Sequence, residues 1–341
     1  MEKVLLTGAG GFVGSHVLRH LLMTTDAKIV CPVTFSHKGL AERIASSLCD
    51  RDDQDRVDIL HWDLTSPPSP MTLRAVEGCD VIMNVASESH VDRSIEDPYE
   101  FIMNNTALTL RMLDLARVIR PKVFLQMSTD EVYGPAYGDR LHREWSTILP
   151  SNPYSASKAG QEAHAFAYWR TYGVPVIITN TMNIIGEMQD PEKFFPKVMR
   201  TVRDGGTVTI HCSSDGKPGS RFYLHARNLA DAWCWLAKRI TSGEWDIRFP
   251  SDGAQLPPRY NIVGEMELDN IAMAQHIAEA MGKDLDWECV DFHSSRPGHD
   301  LRYALDGTKL ATAGWKAPVP LLDSLRKTVE WTLEHPEWLD A

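Results

Sequence analysis

The chain has 341 residues, 43% hydrophobic and 24% charged, which is the composition of an ordinary soluble protein with room for one large or two modest domains. Lys+Arg 35 against Asp+Glu 46 gives a formal net charge of -11, which argues against nucleic acid or an anionic membrane as the main partner. Cys31, Cys49, Cys79, Cys212, Cys234 and Cys289 form no C-x-x-C pair, no apolar run nears the roughly 18 residues of a membrane span, and no targeting segment precedes the first motif. Neither a metal site nor a disulfide framework is expected, and a reducing cytoplasmic setting is the default.

Lys3-Val4-Leu5-Leu6 reads as a buried strand, and Thr7-Gly8-Ala9-Gly10-Gly11-Phe12-Val13-Gly14 turns it into a helix running to about Met23. Glycines at 8, 11 and 14 permit a tight turn and let a pyrophosphate approach backbone N–H groups at a helix N-terminus. A second strand, about Lys28 to Val33, should end in an acid that binds the adenosine ribose, yet Thr34, Phe35, Ser36, His37 and Lys38 follow. Hydroxyls beside His37 and Lys38 would suit a 2′-phosphate, so NAD and NADP both stay open, although Lys38 is expected to be simply solvated. The third strand is about Val57 to His61; Asp63 and Leu64 after it either meet the adenine edge or, for Asp63, cap a loop.

A fourth strand, Val81 to Val85, leads into Ala86-Ser87-Glu88-Ser89-His90-Val91-Asp92-Arg93-Ser94. Small Ala86 and Ser87 would let a cofactor pass close to backbone, Ser89 and His90 would face nicotinamide or sugar, and Asp92 with Arg93 is expected to form a structural ion pair. A long helix from Pro98 to about Ile119 follows, with apolar positions for core and subunit packing. The fifth strand, Val123-Phe124-Leu125, opens into Met127-Ser128-Thr129-Asp130-Glu131-Val132-Tyr133-Gly134. Asn152 is a predicted N-cap with Pro153 in the first turn, and the spacing of Tyr154 and Lys158 puts both on one face of a helix reaching about Tyr172. Val174 to Thr181 is a sixth strand. Parallel strands alternating with helices predict an α/β, doubly wound, Rossmann-like sheet. From Gly186 to Gly219 the texture changes to loops with Pro and Gly breaks; Asn183 after the sixth strand, Lys193 in this stretch and Arg221 just beyond it are candidate ligands for a sugar diphosphate.

The chemistry is concentrated where the fifth strand ends. A phenol of ordinary pKa about 10 is a poor base at neutral pH, but a nearby ammonium and a cationic nicotinamide both favour its ionised form. Tyr154 would then take a hydroxyl proton as hydride leaves the carbon, with Lys158 and Thr129 in support. Asp130 and Glu131 add a second acid/base pair, which a simple dehydrogenase would not need. Each residue singly is more often a solvated loop charge or a surface side chain; their combination with the glycine motif carries the reading.

These residues give the chain a resemblance to the extended short-chain dehydrogenase/reductases, and among them to the dTDP-glucose 4,6-dehydratases. It spans nearly the whole sequence: Thr7 to Gly14, Glu88 to Ser94, Ser128 to Gly134, Tyr154-Ser155-Ala156-Ser157-Lys158, Tyr260-Asn261-Ile262 and Arg296-Pro297-Gly298-His299-Asp300-Leu301-Arg302-Tyr303-Ala304-Leu305-Asp306. The glycine motif and Tyr-x-x-x-Lys mark the superfamily, whereas Thr129-Asp130-Glu131 marks the dehydratases against the related epimerases and decarboxylases.

The resemblance implies an internal redox cycle on a nucleotide-diphosphate hexose. Hydride leaves C4 for tightly held NAD while Tyr154, with Lys158 and Thr129, removes the C4 hydroxyl proton; Glu131 takes the C5 proton as Asp130 protonates the departing C6 hydroxyl; hydride returns to C6. Cofactor contacts are expected at Gly8, Gly11, Phe12, Val13, Gly14, Thr34, Asp63, Leu64, Ala86, Ser87, Ser89, Asn105, Ser128, Tyr154 and Lys158. Substrate contacts are expected at Ser89, His90, Thr129, Asn183, Lys193, Arg221, Asn261, Arg296, His299 and Asp300. The implied organisation is a Rossmann-like domain over residues 1–182, which also receives parts of 222–262, a smaller sugar-nucleotide domain mainly over 183–341, and a homodimer joined through helices. The chain departs from the family where substrate and cofactor bind: at Thr34, at Ser87, at Ile184-Ile185-Gly186-Glu187, where the family usually has Asn-Tyr-Gly-Pro, and in a longer loop over Cys212 to Ser220. An epimerase of the same superfamily, which needs no Asp-Glu pair, and a catalytically silent nucleotide-binding sensor are the alternatives.

Overall fold

The computed structural model describes residues 1–36, 38–49, 51–291 and 301–340. In chain order the elements that position the site are β1 (Lys3–Thr7), α1 (Phe12–Thr24), β2 (Lys28–Val33), α2 (Ala41–Ala45), α3 (Arg51–Arg56), β3 (Val57–His61), α4 (Pro70–Val76), β4 (Val81–Asn84), α5 (Val91–Glu96), α6 (Pro98–Ile119), β5 (Val123–Thr129), α7 (Pro153–Tyr172) and β6 (Val176–Thr181). Then follow β7 (Ile184–Ile185), α8 (Phe194–Arg203), β8 (Val208–Cys212), β9 (Ser220–Phe222), β10 (Leu224–His225), α9 (Ala226–Thr241), β11 (Arg259–Ile262), β12 (Glu267–Asp269), α10 (Asn270–Ala280) and β13 (Trp287–Asp291).

Seven strands form one parallel sheet in the order β11-β6-β5-β4-β1-β2-β3. The order reverses between β1 and β4, and in such sheets a crevice opens there outside the carboxyl ends of the strands. β1 and β4 to β6 are buried along nearly their whole length because helices cover both faces, with mostly apolar residues leading each strand and polar ones gathered at its carboxyl end. The sixth strand starts at Val176 and not Val174, since Pro175 has no N–H to give; its carbonyl instead accepts from Phe124 N at 2.8 Å. The seventh strand, β11, is contributed by chain from beyond residue 183 and pairs with β6. A second apolar cluster, built from α8, β8, α10 and the helix Leu321–Glu334, stands apart from the sheet's core.

Helix α7 shows why its start was readable. Asn152 Oδ1 accepts from Ser155 N at 2.8 Å, Ser155 Oγ lies 3.2 Å from Asn152 N, and Pro153 occupies the first turn. Gly173 ends it in the left-handed region, at φ 66. One expectation is overturned: Cys212 and Cys289 are joined as a disulfide, with Cα atoms 5.8 Å apart. The two lie 77 residues apart in sequence; parallel pairing of β8 with β13 brings them side by side, which sequence spacing does not reveal.

Candidate active site

A cleft of about 1090 Å³ runs along the carboxyl ends of β1 to β6. Its walls change character from one end to the other. At the β1 end they are made of absent side chains: Gly8 has φ +74, and a Cβ there would stand 3.0 Å from Ala86 N, while a Cβ on Gly14 would collide with the Gly8 carbonyl. Gly11 caps α1 with no side-chain partner, leaving the first N–H groups of a 13-residue helix directed at the cleft. Phe12, Val13, Thr34, Asp63, Leu64, Ala86 and Ser87 line the same end. This cradle fits the diphosphate and adenosine of a dinucleotide. Asp63 also caps its loop, its Oδ1 accepting from Thr65 N and Oγ1 at 2.9 and 2.8 Å.

At the other end stand Ser128, Thr129, Asp130, Glu131, Tyr154 and Lys158. Thr129 ends β5, and its hydroxyl donates to Asp130 Oδ1 at 2.8 Å; Asp130 Oδ2 is buried without a partner. Burial, and then the neighbouring Glu131, push the Asp130 carboxyl up to about 7, so that its protonated and charged forms are both well populated near neutral pH. Glu131 Oε2 accepts from Asn152 Nδ2 at 3.2 Å, which ties the carboxylate to the start of α7. The N-cap residue therefore has a second task.

Tyr154 is half-buried at the cleft; burial, then the Glu131 and Asp130 carboxylates, hold its phenol well above the usual range, with the Thr129 hydroxyl acting in the opposite sense. Lys158 is buried, and its ammonium donates to Met127 O at 2.8 Å and Gln161 Oε1 at 2.6 Å, with Ser87 Oγ at 3.5 Å. Burial, partly countered by Glu162, brings Lys158 down to about 7. Gln161 was missed in the sequence. Its position three residues beyond Lys158, on the face that buries Ser157, Lys158, Glu162 and Ala165, is the signal that could have found it.

The remaining predicted residues divide. Ser89, His90, Asn183, Lys193 and Arg221 all line the cleft, and Lys193 Nζ reaches Ser89 O at 3.2 Å. Arg221 lies over the Tyr303 ring, 4.5 Å from its centroid, and donates to Leu301 O at 2.5 Å. Asn105 lies beneath the floor, fully buried, accepting from Glu88 N at 2.8 Å and donating to Ser157 Oγ at 2.9 Å; it holds the β4 loop against α7 and does not line the cleft. Asn261 also lies off the cleft: it sits in β11, fully buried, donating to His142 O and Asp306 O at 2.9 and 3.1 Å. His37, Arg296, His299 and Asp300 lie outside the described residues.

Two ion-pair expectations are corrected. Arg93 pairs with Glu192 at 2.8 Å and not with Asp92, because the 190–193 segment approaches it across the cleft. Lys38 is not simply solvated: Nζ lies 2.8 Å from Asp190 Oδ2. Phe35 after β2, Met103 of α6, Thr209 and His211 of β8, Tyr223 between β9 and β10, and Asn270 of α10 are further lining residues that sequence reasoning did not single out, since their arrival there depends on how distant elements pack.

Residues 4–248 match the model of the NAD dependent epimerase/dehydratase family. The chain belongs to that family. A dTDP-glucose 4,6-dehydratase of Escherichia coli K12 is 33% identical over 99% of this chain and 94% of its own length. A trifunctional UDP-glucose 4,6-dehydratase/epimerase/reductase of Arabidopsis thaliana is also 33% identical over 99% of this chain, which corresponds to 48% of that longer protein. Among solved structures, the dTDP-glucose 4,6-dehydratase DesIV from Streptomyces venezuelae, crystallised with NAD, superposes with a TM-score of 0.83 at 31% identity, covering 98% of both chains. Within this NAD-dependent family, the glycine cradle and the Tyr154–Lys158 pair of the present chain stand at the two ends of one cleft.

Proposed function

We propose that the protein is a nucleotide-sugar 4,6-dehydratase, converting a nucleotide-diphosphate hexose into the 4-keto-6-deoxy sugar. The observation that carries this reading is the meeting of a partly protonated acid, Asp130, and a carboxylate, Glu131, with Tyr154 and Thr129 at one end of a dinucleotide cleft. An epimerase has work for Tyr154 and Lys158 but none for an adjacent acid pair.

NAD would be held by the Gly8 to Gly14 turn, Thr34, Ala86 and Ser87, and when bound it supplies the hydride acceptor that later returns the hydride. The chain does the proton work. Tyr154, whose phenol burial and the two carboxylates hold high, would remove the C4 hydroxyl proton once the positive charges of bound nicotinamide and of Lys158 favour its ionised form, with the Thr129 hydroxyl assisting; Gln161 and the Met127 carbonyl fix the Lys158 ammonium in place. The ketone so formed acidifies C5, Glu131 takes the C5 proton, and Asp130 delivers its own proton to the C6 hydroxyl as water leaves. Placing these two carboxyls next to each other keeps one protonated while the other is charged, which is what an elimination requires. Lys193 and Arg221 offer the cations for the sugar diphosphate.

Both dTDP- and UDP-linked substrates occur among relatives of equal identity, so the nucleobase is to be found by experiment. TDP-, UDP-, GDP- and CDP-hexoses labelled with deuterium at C4 are incubated with the protein and followed by mass spectrometry. Loss of one water with deuterium retained on C6 is the expected result; an altered sugar of unchanged mass would replace this reading with an epimerase, and no reaction with any of them would overturn it. The same reading makes the protein a cytoplasmic homodimer that pairs through α6 and α7, where Ile102, Val118 and Tyr172 are exposed. Light scattering tests the dimer.

A further inference from the structure

The end of β2 carries no acid to bind the two ribose hydroxyls, and a basic residue close by is the usual accompaniment of a 2′-phosphate. Thr34, Ser36 and Lys38 line the cleft at this point, so on composition alone the pocket would take NADP. The contacts say otherwise. Lys38 Nζ is held 2.8 Å from Asp190 Oδ2 and 3.4 Å from Glu192 Oε1. Arg43, buried, spends its guanidinium on the carbonyls of Lys38 at 2.6 Å and Met188 at 3.0 Å. The hydroxyls of Thr34 and Ser36 bond each other at 2.6 Å. Among the described residues of this loop, each cation already has its partner, and one of those partners is a carboxylate only 16% exposed.

We infer that Asp190, seated on Lys38, is a specificity residue that makes the pocket keep NAD and reject NADP. It takes the place of the missing strand-end acid, from a different segment of the chain. An ion pair of this exposure contributes little to stability. Its effect on recognition is larger, because a 2′-phosphate must either displace the carboxylate from Lys38 or sit beside it with like charge, and specificity of this kind comes from the repulsive element. Asp190 remains ionised for the purpose: burial works against its charge, but Lys38 and the backbone N–H of Glu192 outweigh it and hold its pKa below the ordinary value. The inference rests on reading the cleft as a dinucleotide site.

Its test is a competition. The protein is equilibrated with equal concentrations of NAD and NADP at pH 8, and the bound nucleotides are quantified by mass spectrometry after rapid desalting. The parent should retain NAD over NADP by tenfold or more. Asp190→Asn, which keeps the turn hydrogen bond now made by Oδ1 to Glu192 N, should lower that ratio at least tenfold, with most of the change in NADP. Adding Lys38→Ala should restore the ratio to within threefold of the parent. A parent ratio near one, an Asp190→Asn ratio within twofold of the parent, or a double variant that stays as permissive as Asp190→Asn would each overturn the inference while leaving the dehydratase reading intact. A parent that retains neither nucleotide would overturn that reading and the inference with it.

Discussion

The two halves of the central sheet prepare their ends of the cleft by opposite means. On the β1–β2–β3 side the site is shaped by what is missing: Gly8, Gly14 and the small Ala86 leave room for a ligand to lie against backbone. On the β4–β5–β6–β11 side it is shaped by polar groups locked into a ladder beneath the floor. Thr7 Oγ1 donates to Asn84 Oδ1 at 2.9 Å, and Asn84 Nδ2 to Gln126 Oε1 at 2.9 Å. Further along, Asn180 Nδ2 donates to Thr129 O at 3.0 Å and to Glu162 Oε1 at 2.7 Å, while Arg259 Nη2 reaches Glu162 Oε2 at 2.6 Å. Binding a dinucleotide needs a shape that glycine provides. Moving protons needs side chains held to fractions of an ångström, and a satisfied buried network provides that.

The sharpest way to break the contrast is at the catalytic end. Glu131→Gln should leave C4 oxidation in place but cut product release as deoxy sugar by about 10²- to 10⁴-fold, the usual worth of one acid/base group; a variant that forms product at the parent rate would remove Glu131 from its role. Tyr154→Phe should slow oxidation itself by a similar factor, read in single-turnover absorbance of the reduced cofactor. Within the ladder, Arg259→Met leaves Glu162, at 3% exposure, without its ion-pair partner and with the Asn180 amide as its remaining hydrogen bond. Losing one partner of such a pair typically costs about 3 to 5 kcal/mol, to be read from chemical denaturation. At the glycine end, Gly14→Ala puts a Cβ against the Gly8 carbonyl; NAD affinity should fall at least tenfold by calorimetry, with turnover at saturating cofactor affected much less. If Gly14→Ala instead damages turnover and spares NAD affinity, the division of labour is wrong.

This division also explains what could be read in advance. The glycine turn, the capped start of α7 and the Thr129-Asp130-Glu131 triplet are local patterns, set by backbone conformation and side-chain spacing within a few residues; β1 to β6 and helices α1, α6 and α7 were legible beside them, whereas the short helices α2 to α5 were not. Lys38 shows the limit. Its partner Asp190 lies more than 150 positions away, and only the path of the loop after β7 brings the two together. Asn261 fails for a related reason: a polar residue in a matching motif resembled a ligand, but it lies in a buried strand and bonds to backbone. Gln161 and Asn152 lie between these cases, since helix periodicity places them correctly while their work on Lys158 and Glu131 needs the packed structure.

The subtlest effect separates the two carboxyls of the catalytic pair. Asp130 has its pKa raised from 3.8 to about 7 by burial and by Glu131. On the proposed mechanism the proton it would give to the C6 hydroxyl is present mainly below about pH 7, so the elimination step should weaken as pH rises through that value, approaching a tenfold loss per unit well above it. Stability should follow the same direction. A carboxyl whose folded pKa exceeds its unfolded one contributes fully below the unfolded value, and that contribution is lost as pH climbs from about 4 through about 7. Asp130→Asn fixes the group in its neutral form. Its activity should be low at every pH, but its melting temperature should fall less between pH 5 and pH 8 than that of the parent, by a few degrees. Equal slopes for the two proteins would mean that Asp130 is already charged near neutrality and that the proton for the leaving hydroxyl comes from another group.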